Sequence, residues 1–479
     1  MSKPLKILLA VLLALVVATP AMAAKFEFHG DFFTRFMVYT NQTGFFNAPD
    51  TGTSSAANSQ VLDNKDRADS WGEIKSRLVF SGENDDGSVK GVYALEVGAL
   101  RFGRDAGVGN SLQGGFSGDG VNVETRWFYT DFQIPGVASK ARFQLGLFSN
   151  TVNPFFWAET AMGVKFYTDN FYLAWLRGKE KLTTGISSST TQDWGDGDLD
   201  SLTARYDLKM DPLKIGLFAS YLWENVSLPN VGFINLSTFD AQRDYAVKKL
   251  PDMNFNLLAL GVDGGWSAKT GFGKVFVNWD LIYEMGELKD VSFDNVTRTD
   301  ADLSAYLLHA DVGVNFGAAT LTLTSYYASG NDQSSTSNDL DAYMAVDVDR
   351  TDSIIFQEGG YTDDNYFTER PYIHDWGLWL NKLALDFQAT KKTKFGAAVL
   401  YLLTAEDAIL ANGTKENELG LELDAYVSHK IYDNLEFALN FGYLWSGDVM
   451  DEFETGTDAG NSKADVDIFR STAMVRYLF

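Results

Sequence analysis

Apolar and polar residues alternate with a period of two along most of the chain. In the segment 434–446 one face carries only large apolar side chains, and these are Leu435, Phe437, Leu439, Phe441, Tyr443 and Trp445. Successive side chains of a β-strand point to opposite faces, so this spacing predicts a strand with one apolar face. The pattern recurs from one end of the chain to the other, which indicates one large sheet.

Eighteen segments are predicted to be strands. They lie near 25–40, 71–83, 88–101, 121–133, 139–148, 162–168, 171–179, 200–209, 213–224, 255–267, 272–287, 303–316, 318–329, 376–389, 393–404, 417–430, 434–446 and 466–479. Long connections such as 41–70 alternate with short turns such as Asn84-Asp85-Asp86-Gly87, whose residues favour tight turns. Sixteen strands is the alternative count, because 162–179 could instead form a folded-in loop.

A closed barrel is the architecture that this pattern favours. After the first 24 residues, no stretch is apolar enough, over enough residues, to form a membrane helix. A closed barrel can cross a membrane instead, because it pairs every backbone group inside the hydrocarbon layer. We therefore predict an all-β fold, a transmembrane antiparallel β-barrel with long extracellular loops and short periplasmic turns.

The first 23 residues have the features of an export signal. Lys3 and Lys6 supply a positive start, an apolar run covers 8–17, and Ala21-Met22-Ala23 has the small-x-small pattern of a cleavage site. The apolar run is about half of the roughly 20 residues that a membrane helix needs. We expect residues 1–23 to be a signal peptide and 24–479 to be the barrel.

Composition narrows the function classes. The chain has 39 Lys and Arg against 64 Asp and Glu, a net charge of −25, so nucleic acid is not an expected partner. It has no cysteine, which excludes thiolate chemistry and disulfides. With only four histidines, histidine-based metal or catalytic sites are poorly supplied, and we expect no cofactor.

The last strand ends the chain on an aromatic residue. One of its faces carries Phe469, Ala473, Val475, Tyr477 and Phe479. This ending resembles the C-terminal signature of outer-membrane barrels. Together with the strand tally, the chain resembles the general and substrate-specific porins of Gram-negative bacteria, whose barrels have 16 or 18 strands.

This resemblance carries expectations about location and partners. It implies the outer membrane, with lipid and lipopolysaccharide around the barrel and small polar solutes and ions diffusing through it. Porins of this size occur as trimers and as monomers, and the resemblance favours a homotrimer. In porins the loop after the fifth strand commonly folds inward, and the candidates for this constriction are Asn153, Phe155, Trp157 and Glu159. The acidic Pro-Glu-Phe-Gly-Gly type of sequence is missing there, so a standard constriction is not expected.

The polar face of each strand is predicted to line the lumen, and its charges segregate. The basic residues predicted to line the pore are Arg35, Lys75, Arg77, Arg126, Arg142, Lys165, Arg205, Arg470 and Arg476. The acidic ones are Asp263, Asp280, Glu284, Asp311, Asp386, Glu422, Asp424 and Glu436. A basic wall facing an acidic one would create a transverse field that orients dipolar solutes. The other interpretation is that these residues neutralise one another in solvated pairs.

Two other kinds of site are considered, an aromatic path for sugars and a calcium site. Sugar channels line their path with aromatic residues, and the same parity predicts that Phe33, Phe128, Phe148, Tyr326 and Tyr426 point inward. A calcium site could use carboxylates from Asp196, Asp198, Asp200, Asp347 and Asp349. Neither acidic stretch matches an EF-hand loop, so solvated loop charge is the favoured interpretation.

A dedicated channel or exporter and a barrel enzyme remain as alternatives. An exporter of the alginate type predicts a basic lumen throughout, which the acidic strands of the second half oppose. A Ser-His hydrolase would have only Ser428 and His429 as an adjacent pair. Neighbouring strand residues face opposite ways, so these two cannot form a dyad directly.

Overall fold

The computed structural model describes residues 25–40, 68–102, 123–137, 140–179, 197–225, 234–235, 246–250, 253–292, 299–332, 334, 339–348, 350–357, 371–410, 413–453 and 467–479. The predicted signal peptide lies outside these residues. The strands are β1 (Lys25–Thr40), β2 (Ala68–Glu83), β3 (Val89–Phe102), β4 (Val123–Gln133), β5 (Arg142–Asn153), β6 (Trp157–Tyr167), β7 (Phe171–Lys179), β8 (Leu199–Met210), β9 (Leu213–Glu224), β10 (Ile234–Asn235), β11 (Phe255–Lys269), β12 (Lys274–Ser292), β13 (Thr299–Asn315), β14 (Ala319–Ala328), β15 (Leu378–Gln388), β16 (Thr393–Ile409), β17 (Lys415–Tyr432), β18 (Leu435–Ser446) and β19 (Ile468–Leu478). Short 3₁₀ helices cover Val247–Lys249, His374–Trp376 and Asp448–Phe453.

All of these strands except β10 form one closed antiparallel circuit. Each pairs with its neighbours in the sequence, β9 pairs directly with β11, and β1 pairs with both β2 and β19. The carboxy-terminal Phe479 completes the seam, since its N–H donates to the Gly30 carbonyl at 3.1 Å and its own carbonyl accepts from Gly30 at 3.0 Å. The predicted barrel and the count of 18 strands are confirmed. The 16-strand alternative is wrong because β6 and β7 are wall strands.

The alternating pattern sets the two faces of the wall. On β1, Phe28, Phe32 and Phe36 are exposed on the outer face, while Phe33 and Arg35 are buried on the inner face. Large apolar side chains on the outside of a barrel suit a lipid surface. Within the described residues, no helix is long and apolar enough to cross a membrane.

Short turns close one end of the barrel with the chemistry that the sequence predicts. In the β2–β3 turn, the Asn84 side-chain oxygen accepts from the Val89 N–H at 2.9 Å, and Asp86 accepts from the Ser88 N–H at 2.9 Å. Gly87 has a φ of 70°, which only glycine adopts without strain. The turn therefore fixes the register of β2 against β3.

Part of the connection between β14 and β15 lies inside the barrel. We call residues 340–348 and 350–357 the lumenal segment. Tyr343, Val348 and Phe356 are each no more than 1% exposed, and they pack with inward side chains of β9 and β11–β18. Backbone bonds anchor one end of the segment, because Leu340 exchanges hydrogen bonds with Asp302 and Ser304 at 2.8 and 2.9 Å. This half of the barrel is therefore filled by protein.

Candidate functional site

The β5–β6 hairpin leaves the wall and enters the lumen. The pairing of β5 with β4 ends at Leu147, and that of β6 with β7 begins at Met162. Residues 148–161, which we call the inward hairpin, pair with each other through the turn Pro154-Phe155-Phe156. The constriction candidates Asn153, Phe155 and Trp157 are all buried at its tip, whereas Glu159 is only partly buried and accepts from the Thr160 N–H at 2.5 Å.

Polar side chains latch the tip of the inward hairpin to the far wall. The Asn153 amide donates to Asp280 Oδ1 at 2.6 Å, and Asp280 Oδ2 lies 2.7 Å from His309 Nδ1. The other ring nitrogen of His309 lies 3.2 Å from Asp311. The Phe155 ring packs against His309, with centroids 4.7 Å apart. The hairpin therefore reaches across the lumen to β12 and β13.

The lumenal segment and the inward hairpin hold each other. The Val346 N–H donates to the Phe156 carbonyl at 2.8 Å, and the Tyr343 hydroxyl donates to the Phe155 carbonyl at 3.0 Å. The Arg350 guanidinium lies 4.4 Å over the Phe155 ring. These contacts form one inward body from two separate parts of the chain.

Three carboxylates of the wall bind backbone N–H groups of this body, and one of them also binds a serine hydroxyl. Glu422 accepts from the Ser353 hydroxyl at 2.6 Å and from the N–H groups of Ile355 and Phe356 at 2.7 and 3.2 Å. Asp424 accepts from the Ile354 N–H at 3.2 Å. Glu284 accepts a hydrogen bond from the Met344 N–H at 2.9 Å.

The predicted acidic wall therefore needs a correction. Glu284, Glu422 and Asp424 lie on the inner face as predicted, but they are at most 5% exposed because the lumenal segment covers them. Their bonds satisfy backbone groups, and they do not face an open basic wall. Among the other acidic candidates, Asp263 pairs with Arg205 at 2.5 Å. Asp386 pairs with Lys394 at 3.0 Å, and Glu436 lies opposite Arg476 in the register.

The inner face of β1–β5 is organised differently, by side chains that pair with side chains. Glu96 accepts from Lys75 Nζ at 2.7 Å, Arg77 Nε at 2.7 Å and Arg126 Nη1 at 2.5 Å. The Arg77 and Arg126 side chains remain 30% and 28% exposed, although Lys75 is only 3% exposed. We call this inner face the charged arc, and the inner faces of β11–β18 the packed arc.

The remaining basic candidates are also paired or covered. Arg35 forms a buried ion pair with Glu73, and Arg142 pairs with Asp131, which also accepts from the Tyr167 hydroxyl. Arg476 pairs with Asp31. Lys165 lies 4.2 Å over the ring of Tyr172, and Arg470 is fully buried.

One aromatic prediction was wrong. Phe128 is 67% exposed on the outer face, with its ring 5.7 Å from that of Tyr93. A bulge is the reason, because Ala94 pairs with Trp127 whereas Leu95 pairs with Thr125. The extra residue is Arg126, and the parity of β4 changes there. The other four aromatic candidates lie on the inner face, and they are Phe33, Phe148, Tyr326 and Tyr426.

The calcium candidates have cationic side chains as partners. Arg177 lies 2.7 Å from Asp198 and 3.1 Å from Asp200, and Lys248 pairs with Asp347. Asp196 and Asp349 lie outside the described residues. Where the structure describes the chain, no group of three or more potential ligands could hold a metal ion.

Several residues of the site carry no local sequence signal. Strand parity places His309 of the latch and Asp131 of the charged arc inward, but nothing local marks either one as a partner. Arg350 and Ile354 lie in a stretch without strand periodicity, and their contacts come from strands far away in the sequence.

Burial raises the pKa of the Asp375 carboxyl, which accepts from the Asn331 amide at 3.2 Å beside the lumenal segment.

The fold is similar to that of a solved outer-membrane protein. A crystal structure of OpdK from Pseudomonas aeruginosa with vanillate has a TM-score of 0.50 and 11% identity over 95% of this chain and 98% of that one. A BenF-like porin from Pseudomonas fluorescens Pf-5 has a TM-score of 0.49 and 9% identity over the same shares. Neither a family model nor a curated protein matches the sequence. The likeness to OpdK establishes the fold alone.

Proposed function

We propose that this barrel is a porin of the outer membrane, which lets small polar solutes and ions diffuse passively through a water-filled path. The main support is a contrast between the packed arc and the charged arc inside the barrel. The inward body is latched to the packed arc, whereas the charged arc keeps partly exposed arginines. The path accordingly runs along β1–β5, between the inward body and the charged arc.

The charges along this path suit polar solutes. Arg77 and Arg126 share the Glu96 carboxylate with Lys75. Such a surface attracts water and charged or dipolar groups, and it disfavours apolar molecules. Because the inward body narrows the lumen, size also limits passage.

Selection of a particular solute is a second candidate. Tyr167 and Tyr172 lie beside the basic residues Arg142 and Lys165, an arrangement that could hold a ring and a charged group together. Sugar or polysaccharide passage would instead use a continuous aromatic track. Of the five aromatic residues suggested for such a track, Phe128 lies outside the barrel, which weakens that alternative.

We propose no catalytic role for this barrel. His429 is exposed, and its ring bonds to the Thr393 hydroxyl at 3.0 Å rather than to Ser428.

Lipid and lipopolysaccharide are the proposed surroundings of the outer face, and a homotrimer is the proposed assembly. Crosslinking in native membranes would test that assembly.

Reconstitution into liposomes tests the function directly. Purified barrel should let sugars and amino acids below a size limit enter, as measured by osmotic swelling, and should give ion-conducting steps in planar bilayers. Both activities should appear without an energy source. Reconstituted barrels that are verified as folded by their heat-modifiable migration, yet give neither swelling nor conductance, would overturn the proposal.

A further inference from the structure

We propose that Arg470, Asn440 and Thr472 form a binding site for one small monovalent anion, chloride in a saline medium. The site lies on the inner faces of β18 and β19, beneath the lumenal segment. It is separate from the charged arc, and its occupation would stabilise the inward body without contact with a passing solute.

Arg470 is the centre of the site. It is 0% exposed, its Nη1 donates to the Ile354 carbonyl at 2.7 Å, and its guanidinium lies 4.9 Å over the Tyr39 ring. Among the residues that the structure describes, its Nε and Nη2 atoms have no hydrogen-bond partner. Among the described residues no carboxylate lies within ion-pair distance of it. A buried guanidinium without a counter-charge is costly, so a nearby negative charge is expected.

Two more buried polar groups without a hydrogen-bond partner among the described residues lie at the next positions on the same face. Asn440 and Thr472 lie opposite each other in the register, both are 0% exposed, and Arg470 is two residues from Thr472 on the same face. Asn440 Oδ1 accepts from the Thr472 backbone N–H at 2.9 Å. In the described part of the chain, neither the Asn440 Nδ2 group nor the Thr472 hydroxyl has a hydrogen-bond partner. Charged and neutral donors on adjacent positions of two strands suit an anion.

The roof of the site limits the size of this anion. Ile354 and Ile355 lie so close to Gly442 that a Cβ added there would be 3.0 Å from Ile354 and 2.8 Å from Ile355. Gly442 pairs with Arg470, so the same roof covers the guanidinium. Because all three side chains are fully buried, an anion bound here must be small, which favours a monatomic halide over an organic carboxylate.

Asp424 is the competing partner for Arg470. Among the described residues its Oδ1 atom also lacks a hydrogen-bond partner. Gly442 lies between Asp424 and Arg470 in the register, and a Cβ added to it would be 3.1 Å from this Oδ1 atom. Two strand spacings separate the Asp424 and Arg470 backbones, about 9–10 Å. Asp424 bonds to the Ile354 N–H beside Glu422, and Lys382, which faces the same pair, donates to the Asp352 carbonyl at 2.5 Å. Arg470 instead points toward Tyr39.

A crystal grown in sodium bromide tests the site in the unaltered protein. The expected result is an anomalous bromide peak within hydrogen-bond distance of Arg470 Nε or Nη2 and Asn440 Nδ2. An ion pair between Arg470 and Asp424, with no anomalous peak, would overturn the proposal. Because the crystal uses the full chain, it requires no variant to fold.

Urea unfolding in detergent gives an independent measure. At a chloride concentration ten times the dissociation constant, the folded-to-unfolded ratio should rise about elevenfold over sodium gluconate of equal ionic strength. R470M should lose this chloride dependence, and N440L should weaken it while it leaves the bond to Ile354 in place. R476M, which removes an ion-paired arginine of the same strand, should retain it. Equal chloride dependence in wild type, R470M and N440L would refute the site.

Discussion

The two inner arcs of this barrel use similar charged residues for different purposes. On the charged arc a carboxylate such as Glu96 accepts from side chains of neighbouring strands, and both partners belong to the wall. On the packed arc a carboxylate such as Glu422 accepts from the backbone of an inward segment. The first arrangement leaves charge beside open space, and the second holds protein inside the barrel. Sequence position alone does not distinguish these purposes, since both sets of residues occupy the polar face of a strand.

Removal of the anchor on the packed arc should have the largest effect. Glu422→Gln removes the negative charge that accepts three bonds from the lumenal segment, and bonds to charged acceptors contribute about 1.5–3 kcal/mol each. We expect the segment to leave the lumen part of the time and single-channel conductance to rise severalfold. Glu436→Gln, on the neighbouring strand, is the matched control and should leave conductance nearly unchanged. Equal conductance in the two variants would break the comparison between the arcs.

Removal of the hub of the charged arc should change selectivity more than pore size. Glu96→Gln leaves Lys75, Arg77 and Arg126 without their shared carboxylate, so the reversal potential in a salt gradient should shift toward anions. Because Glu96 and Lys75 are buried, stability should fall by about 3–5 kcal/mol. Glu27→Gln, at a partly exposed position near the start of β1, is the control. A shift toward cations would contradict the proposed path.

Neutralisation of the arginines should move selectivity in the opposite direction. A triple variant of Arg77, Arg126 and Arg142 to glutamine should strengthen cation preference at low ionic strength and raise conductance moderately. Stability should change little, because partly exposed lumenal pairs contribute about 0–1 kcal/mol each. Lys391 and Lys392, exposed in a turn, provide control replacements. An unchanged reversal potential would place the path elsewhere.

Loosening of the hairpin latch should have the smallest effect. His309→Phe keeps a ring against Phe155 but loses the polar contacts with Asp280 and Asp311. The inward hairpin should then fluctuate, which would appear as added open-channel current noise with nearly the same mean conductance. His429→Phe, at an exposed position, should leave the noise at the wild-type level. Identical noise in both variants would show that His309 does not hold the hairpin.

The sequence predicted what depends on local periodicity. Alternation such as that from Leu435 to Trp445 specified strands and faces, and loop rhythm specified the order of long and short connections. The prediction that Phe128 points inward was wrong, because one extra residue, Arg126, changes the parity of β4 without a local signal. The position of the lumenal segment inside the barrel was not predicted for another reason. Its bonds to Glu284 and Glu422 join positions about 60–70 residues apart, and such pairing follows from the closed barrel rather than from the segment itself.

Cysteine accessibility tests the central claim most directly, since the chain has no cysteine of its own. Single cysteines would replace Arg77 and Arg126 on the charged arc, and Leu400 and Leu444 on the packed arc, where both leucines are 0% exposed. A charged, water-soluble thiol reagent should react at positions 77 and 126 in bilayers and reduce the single-channel current. It should leave positions 400 and 444 unmodified. Fast reaction and block at 400 or 444, with no block at 77 or 126, would contradict a path along the charged arc.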